Sequence, residues 1–280
     1  MALGDFHLHS HYSDGILSPA DLVAKASANH VQVLALTDHD TTEGVPEALA
    51  AGEKMGVRVI PGVEISVDLP NGSDAHILGY FKTIDNEKLQ HQLTQYREGR
   101  HHRGKNIVSA LENLGLPLSW DRVLEIAGKA AVGRPHIAQA MVEKQYVTSV
   151  RQAFDQFLAT GGSADADREK LLPMDALSLI HQAGGISVLA HPSFLHEPPV
   201  AIAELANFNL HGLEVYYKNY DDQTIATFNA LAKTHGLIQS GGSDFHGIHD
   251  DEREPGNIPL PDHIVTAFLD YVSSHWKKTN

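Results

Sequence analysis

The chain has 280 residues, of which 42% are hydrophobic, and 21 Lys and Arg oppose 35 Asp and Glu for a formal net charge of −14. This length fits one large domain or a domain with a smaller insertion, and the acidic balance argues against broad non-specific binding to nucleic acid. The absence of cysteine excludes disulfides and thiolate zinc sites. Without signal-peptide features or an apolar run of membrane-spanning length, we expect a cytoplasmic protein with no membrane association and no stable protein partner.

The first 84 residues alternate between predicted strands and predicted helices. Ser18 is a candidate N-cap with Pro19 in the first helical turn, and Gly56 is a plausible helix stop. The predicted strands cover 4–9, 33–38, 57–67 and 75–81, and the predicted helices cover 18–30 and 43–55.

From about residue 85 to 167 the pattern becomes helical, and after that the alternation resumes. Helices are predicted near 86–114, 119–127, 134–144 and 149–159, followed by a polar loop at 161–167. The second alternating part has strands at 186–191, 212–217 and 237–241 and helices at 173–183, 200–207, 221–235 and 264–276. We therefore predict a barrel domain formed by 1–84 and 168–280, with 85–167 as a helical insertion, or cap domain.

The alternation of strands and helices predicts an α/β fold with a parallel sheet. Seven strands over this length favour a closed or nearly closed α/β barrel. In such a barrel the carboxyl ends of the strands face one common cavity, so residues that are far apart in sequence can converge there.

Potential metal ligands lie at or near the ends of six of the seven predicted strands. His7 and His9 end the first strand, and because residues i and i+2 of a strand share a face, both imidazoles can point at one ion. The candidate ligands are His7, His9, Asp14, His39, Glu64, His76, His191, Asp244 and His246. They are too many for one ion and suit two or three divalent ions with a bridging carboxylate, whereas burying them without ions or partners would be very costly.

The motifs that contain these ligands resemble the PHP (polymerase and histidinol phosphatase) family. In chain order they are His7-Leu8-His9-Ser10 with Asp14-Gly15, Thr37-Asp38-His39-Asp40, Gly62-Val63-Glu64, Ala190-His191-Pro192 and Gly242-Ser243-Asp244-Phe245-His246. The resemblance covers the barrel portion and implies a distorted seven-stranded (β/α)7 TIM-like barrel with two or three divalent ions. It implies Mn²⁺ first, and Fe²⁺ or Zn²⁺ also suit a ligand set of imidazoles and carboxylates.

The resemblance also implies how the ligands divide among the ions. The first ion is expected to bind His7, His9, Glu64 and Asp244. The second is expected to bind Glu64, His76 and His191. A third would bind Asp14, His39 and His246, or these residues would partly support the others. Asp38 and Asp40 are expected to orient His39.

The implied reaction is hydrolysis of a phosphoester by a metal-activated hydroxide, so no side chain is assigned as the catalytic nucleophile. Within the family, the chain is most similar to the nucleoside 3′,5′-bisphosphate phosphatases, which predicts removal of the 3′-phosphate. The alternatives are a 5′-to-3′ exoribonuclease on short 5′-phosphorylated RNA, a histidinol-phosphate-type phosphatase, and a non-enzymatic structural module. The predicted partner is thus a small nucleotide or a short RNA.

Cationic residues in the predicted insertion are candidates for substrate binding. Arg100, Arg103 and Lys105 lie in one helical stretch, where they either contact a non-reacting phosphate or form a solvated helix face. Arg134 precedes a proline that opens a helix, so an anion there could meet both a guanidinium and free backbone N–H groups. Glu214, near the end of the sixth predicted strand, could face the cavity or pair with a nearby base.

Overall fold

In the computed structural model, which describes residues 1–69, 74–128, 130–159, 161–166, 171–248 and 253–278, seven strands form one sheet in sequence order. The strands are β1 (Gly4–Leu8), β2 (Val33–Leu36), β3 (Arg58–Asp68), β4 (Asp74–Tyr80), β5 (Ile186–Leu189), β6 (Gly212–Tyr217) and β7 (Ile238–Gly242). A parallel bridge between Leu8 and Phe245 joins the two edges. The sheet is therefore a nearly closed barrel, and the predicted α/β fold class is confirmed.

Ten α-helices occupy the described part of the chain. They are α1 (Pro19–Ala28), α2 (Val45–Met55), α3 (Glu87–Asn113), α4 (Trp120–Ala127), α5 (Arg134–Glu143), α6 (Val150–Ala153), α7 (Pro173–Gln182), α8 (Pro198–Asn207), α9 (Asp222–His235) and α10 (Asp262–Lys278). A π-helical turn, Phe154–Leu158, extends α6. Among the helices described, none has a stretch long and apolar enough to cross a bilayer.

The prediction of a parallel sheet is wrong at β4, which runs antiparallel to both β3 and β5. Only five residues separate Asp68 at the end of β3 from Asp74 at the start of β4, whereas a parallel crossover needs a dozen or more. The reversal has a consequence for the site: His76 pairs with Ser66, so the first half of β4 lies at the same rim as the carboxyl ends of the other strands.

Buried aromatic side chains fill the barrel on the side of β1 and β4. The rings of Phe6 and Phe268 lie 4.3 Å apart, and the Tyr80 hydroxyl donates to the Phe6 carbonyl at 2.8 Å. Full burial of such a side chain contributes about 1.5–3 kcal/mol. Where β7 meets β1, a Cβ atom on Gly242 would lie only 2.2 Å from the Cβ atom of His7, so this closure requires glycine.

The helices α3–α6 have a hydrophobic cluster of their own, separate from the barrel core. Helix α3 belongs to both, because Leu89 and Leu93 pack in the barrel core and Ile107 and Leu111 pack in the second cluster. The first turns of α3 thus pack with the barrel core, although they follow the proposed boundary at residue 85. The boundary at 168 lies outside the described residues, and the division into a barrel and a cap domain stays a prediction.

Candidate metal centre

The fold brings all nine predicted ligands to one rim of the barrel, with the buried side chain of Glu64 in their middle. Its Oε2 atom lies 3.2 Å from His7 Nε2 and 3.0 Å from His9 Nε2. Its Oε1 atom lies 2.8 Å from His76 Nδ1 and 3.2 Å from His191 Nε2. The two oxygens of one carboxylate thus face different histidines, which is the arrangement that a bridging ligand needs.

Two further carboxylates complete the centre on the side of β1 and β7. Asp244 Oδ1 lies 3.4 Å from His7 Nε2 and 3.2 Å from His9 Nε2. Asp14 Oδ1 lies 3.3 Å from His246 Nε2 and 3.7 Å from His9 Nδ1. Three carboxylates and six histidines therefore share one small volume.

Local backbone geometry aims several of these side chains. The alternation of β1 places His7 and His9 on one face, two residues apart. His191 and Asp244 have φ angles of 27° and 48°, in the left-handed region that non-glycine residues rarely adopt. Strained residues of this kind concentrate at functional sites, where the surrounding structure holds them in place.

The donor atoms fit divalent cations. Ligand atoms bind such ions at roughly 2.0–2.6 Å, so atoms up to about 5 Å apart can share one ion. Three groups have all their ligand atoms within 4.8 Å of one another: His7, His9, Glu64 and Asp244; His9, Asp14, His39 and His246; and His39, Glu64 and His76. The third of these groups differs from the expected second set, because it contains His39 in place of His191. His191 still lies next to both other members, with Nε2 at 3.2 Å from Glu64 Oε1 and its ring centre 5.0 Å from that of His76.

Buried ligand atoms without hydrogen bonds point to the same conclusion. Within the described residues, Asp14 Oδ1, His39 Nδ1 and Glu64 Oε2 have no hydrogen-bond partner. Leaving such polar atoms unsatisfied in a protein interior costs about 1–3 kcal/mol each. Cations bound within the groups to which these residues belong would satisfy these atoms.

The electrostatics of the centre favour positive charge. Burial raises the pKa of Glu64, but His39 and His7 outweigh it and hold that pKa well below its usual range. Burial lowers the pKa of His9, but the adjacent carboxylates of Asp244 and Glu64 outweigh the burial and raise the pKa to about 10. The carboxylates that stabilise a proton on His9 would equally stabilise a metal ion next to it.

Strand β6 supplies contacts that the sequence analysis left open or missed. Glu214 is fully buried and contacts His7 and His191, and Tyr217 donates a hydrogen bond to Asp244 Oδ2 at 2.7 Å. Lys218 donates to the backbone carbonyl of Asp244 at 3.0 Å. Glu214 is an acidic residue in an otherwise apolar buried strand, and this is the sequence signal that could have identified the contacts of β6 with the metal ligands.

The two aspartates next to His39 have other partners than expected. The carboxylate of Asp38 accepts hydrogen bonds from the hydroxyls of Ser10 at 2.6 Å and Ser13 at 2.7 Å. Ser13 in turn lies 3.4 Å from His9 Nδ1, so Asp38 supports the loop that follows β1. Asp40 pairs with Arg100.

A cleft above the centre is lined by ligand residues on one side and by helical residues on the other. Among its lining residues are three predicted substrate-binding residues, Arg100, Arg103 and Arg134. Arg100 donates to Ser66 Oγ at 2.9 Å, Arg103 pairs with Asp165 at 2.9 Å, and Arg134 pairs with Asp74 at 3.0 Å.

Lys105 lies elsewhere. Its side chain is exposed, its ammonium lies 5.9 Å from the centre of the Trp120 ring, and it is not among the residues that line the cleft. The helix explains the difference, because Arg100 and Arg103 are three residues apart and share a face, whereas Lys105 is rotated by about 200° from Arg103.

Comparisons with known proteins agree on one family. The model of the PHP domain matches residues 5–159. The chain is 39% identical over 246 residues to a 5′-3′ exoribonuclease of Haemophilus influenzae, covering 86% of this chain and 89% of the relative. It is 32% identical over 262 residues to a 3′,5′-nucleoside bisphosphate phosphatase of Chromobacterium violaceum, covering 92% of each. A solved amidohydrolase from Chromobacterium violaceum with bound sulfate has a TM-score of 0.86, 29% identity and 96% coverage of both chains.

Proposed function

This chain belongs to the PHP domain family and is a hydrolase of phosphoester bonds, and from that premise we propose that it removes the 3′-phosphate of nucleoside 3′,5′-bisphosphates. The observation that supports this substrate is the cleft itself. It places three arginines on its helical side opposite a cluster of histidines and carboxylates. A ligand with two phosphates can contact both sides at once.

In this proposal the nine ligand residues, with Glu64 in their middle, hold two or three divalent ions, with Mn²⁺ as the first choice and Fe²⁺ or Zn²⁺ as alternatives. Bound ions of this kind lower the pKa of water and neutralise phosphate oxygens. The protein orients the ligands for them. Glu64 offers one oxygen to the group around His7 and the other to His76, while Asp244 offers Oδ1 and keeps Oδ2 for Tyr217.

The three arginines bind the 5′-phosphate, which does not react. Burial and the nearby cations Arg103 and Arg100 lower the pKa of Arg134, while Asp74 opposes them, so repulsion from the other two arginines acts on this guanidinium beside its aspartate. A phosphate that arrives there relieves this repulsion and accepts charge-assisted hydrogen bonds. The solved relative that binds sulfate, an anion of similar shape and charge, is consistent with an oxyanion site in this fold. Lys105 lies outside the cleft and does not belong to this phosphate-binding group of arginines.

A second cavity favours the exoribonuclease alternative. It lies between α3 and α7, has a volume of about 670 Å³, and shares Ser66 and Arg100 with the cleft. An RNA strand bound by its 5′ end could continue into this space. One of the relatives is an exoribonuclease, so the same phosphoester chemistry would act on a short 5′-phosphorylated RNA.

The experiment measures phosphate release from adenosine 3′,5′-bisphosphate by the manganese-loaded protein, with 3′-AMP as the matched substrate that lacks the 5′-phosphate. Conversion of the bisphosphate to 5′-AMP with little turnover of 3′-AMP supports the proposal. Stepwise release of mononucleotides from 5′-phosphorylated RNA, without release from the bisphosphate, supports the alternative. No turnover of any nucleotide by protein that contains metal refutes both substrates.

A small nucleotide is the proposed partner, and the cytoplasmic location expected from the sequence stays a prediction. Fractionation of cells that express the full-length protein would test the location directly.

A further inference from the structure

Strand β6 contributes none of the nine predicted ligands, and yet it lies directly against the metal centre. Glu214 on this strand is fully buried, and each of its carboxylate oxygens has a different partner. The Oε1 atom lies 3.1 Å from His7 Nδ1, and the Oε2 atom accepts the backbone N–H of His191 at 2.6 Å. One side chain thus contacts two ligand residues that are far apart in the sequence.

The contact with His7 determines which ring nitrogen carries hydrogen. An ionised carboxylate only accepts hydrogen bonds, so His7 Nδ1 must be the donor. In the neutral imidazole the lone pair then lies on Nε2. That atom faces Glu64 Oε2 at 3.2 Å and Asp244 Oδ1 at 3.4 Å, in the middle of the first ligand group.

The contact with His191 supports a strained turn. His191 has φ and ψ angles of 27° and 59°, and its N–H donates to Glu214 as the chain leaves β5. This backbone position carries the imidazole, whose Nε2 lies 3.2 Å from Glu64 Oε1. Without an acceptor at this place, the buried N–H would lose its partner and the left-handed conformation would lose a support.

We propose that Glu214 is a positioning residue, which sets the tautomer of His7 and the turn of His191 so that both offer Nε2 to the metal centre. The inference rests on the proposed metal centre, and none of the nine predicted ligands of that centre lies on β6. It assigns β6 a role that the ligand motifs do not reveal.

Replacement of Glu214 by glutamine tests this role with little change in volume. Two donors converge on Glu214, whereas a glutamine offers one acceptor and one donor group. If the amide NH₂ faces His191, two donors meet at a short distance and the turn is disturbed. If it faces His7, the ring must carry its hydrogen on Nε2, where an ion would bind. Either orientation weakens metal binding.

The measurement is calorimetric titration of Mn²⁺ into the metal-free wild type, Glu214→Gln and Glu204→Gln. The control makes the same substitution at an exposed residue of α8. We expect the dissociation constant of Glu214→Gln to rise about 10- to 100-fold, with the control unchanged. Thermal unfolding of the metal-free proteins distinguishes a positioning role from a purely structural one. If Glu214 were only structural, its replacement would lower the melting temperature without a change in metal affinity. That result would overturn the inference.

If the wild type binds no Mn²⁺, the proposed metal centre itself is wrong. If the wild type binds Mn²⁺ and Glu214→Gln binds it equally tightly, only the positioning role is wrong. Should Glu214→Gln not fold, long-range nitrogen–proton NMR correlations of the zinc-loaded wild type replace the titration. His7 with its hydrogen on Nδ1 supports the inference, and the opposite tautomer overturns it.

Discussion

Arg134, the first residue of α5, forms an ion pair with Asp74, the first residue of β4, at 3.0 Å between Nη2 and Oδ2. The pair spans the cleft from the helical side to the barrel side. Both residues line this cleft, and both are only partly exposed, so the pair is screened less than an ion pair on an open surface. A phosphate in the cleft would compete with Asp74 for the guanidinium.

Replacement of Arg134 by alanine should weaken binding of the 5′-phosphate. Loss of one charge-assisted hydrogen-bonding group is worth about 1.5–3 kcal/mol, which corresponds to a drop in kcat/KM of about 10- to 150-fold. The measurement is kcat/KM for adenosine 3′,5′-bisphosphate, with 3′-AMP as the second substrate. Lys105→Ala is the matched control, since this cation lies outside the cleft, and it should leave both values unchanged. An equal loss for both substrates would contradict a 5′-phosphate clamp.

Replacement of Glu64 by glutamine should lower both metal content and activity. An amide lacks the negative charge that stabilises cations next to His7 and His9, and its NH₂ group cannot act as a ligand. We expect metal content per chain to fall and kcat/KM to drop by at least about 100-fold. Metal analysis of the dialysed protein measures the first quantity. Wild-type metal content with full activity would refute the central position of Glu64.

Replacement of Tyr217 by phenylalanine should reduce metal-dependent activity while the fold is retained. The change removes the hydroxyl that donates to Asp244 Oδ2 at 2.7 Å and keeps the ring that packs near Tyr220. A buried hydrogen bond to a charged group is worth about 1.5–3 kcal/mol, so the Mn²⁺ concentration for half-maximal activity should rise about tenfold or more. Tyr216→Phe is the control, because the hydroxyl of Tyr216 contacts Gln239 at 3.3 Å. Identical metal dependence in both variants would contradict a role for Tyr217.

The amino end of the barrel should lose stability in acid because of His211. Its Nδ1 accepts the backbone N–H of Ser187 at 3.1 Å, and burial together with His181 and His275 lowers its pKa to about 4. The unfolded chain binds a proton near pH 6.5, so it takes up more protons than the folded chain between pH 6.5 and 4. The free energy of unfolding therefore falls as the pH decreases through this range.

Partial exposure of His211 reduces the effect to about 1–2 kcal/mol. Urea unfolding at pH 7 and at pH 4.5 measures it, with His211→Asn for comparison because asparagine keeps an acceptor and does not titrate. The variant should lose less stability between the two pH values than the wild type. Equal losses would show that other groups dominate the acid response.

The sequence by itself determined the class of the fold and the residues that converge on the site. Apolar periodicity identified the seven strands, and the spacing of His7 and His9 put both side chains on one face. These features are local, since strand formation, alternation and helix ends depend on neighbouring residues. The recurrence of ligand-type residues at strand ends then implied a common cavity, because the strand ends of a barrel share one rim.

Only the tertiary structure decided which distant residues meet. The short connection after Asp68 turns β4 around and brings His76 to the ligand rim, although the alternation had predicted a parallel strand. The closure of the barrel places Glu214 behind His7 across 207 positions of sequence. The way α3 packs turns the face with Arg103 toward the cleft and leaves Lys105 exposed on another face. Such contacts depend on how strands pair and helices pack, and residue type and spacing do not carry that information.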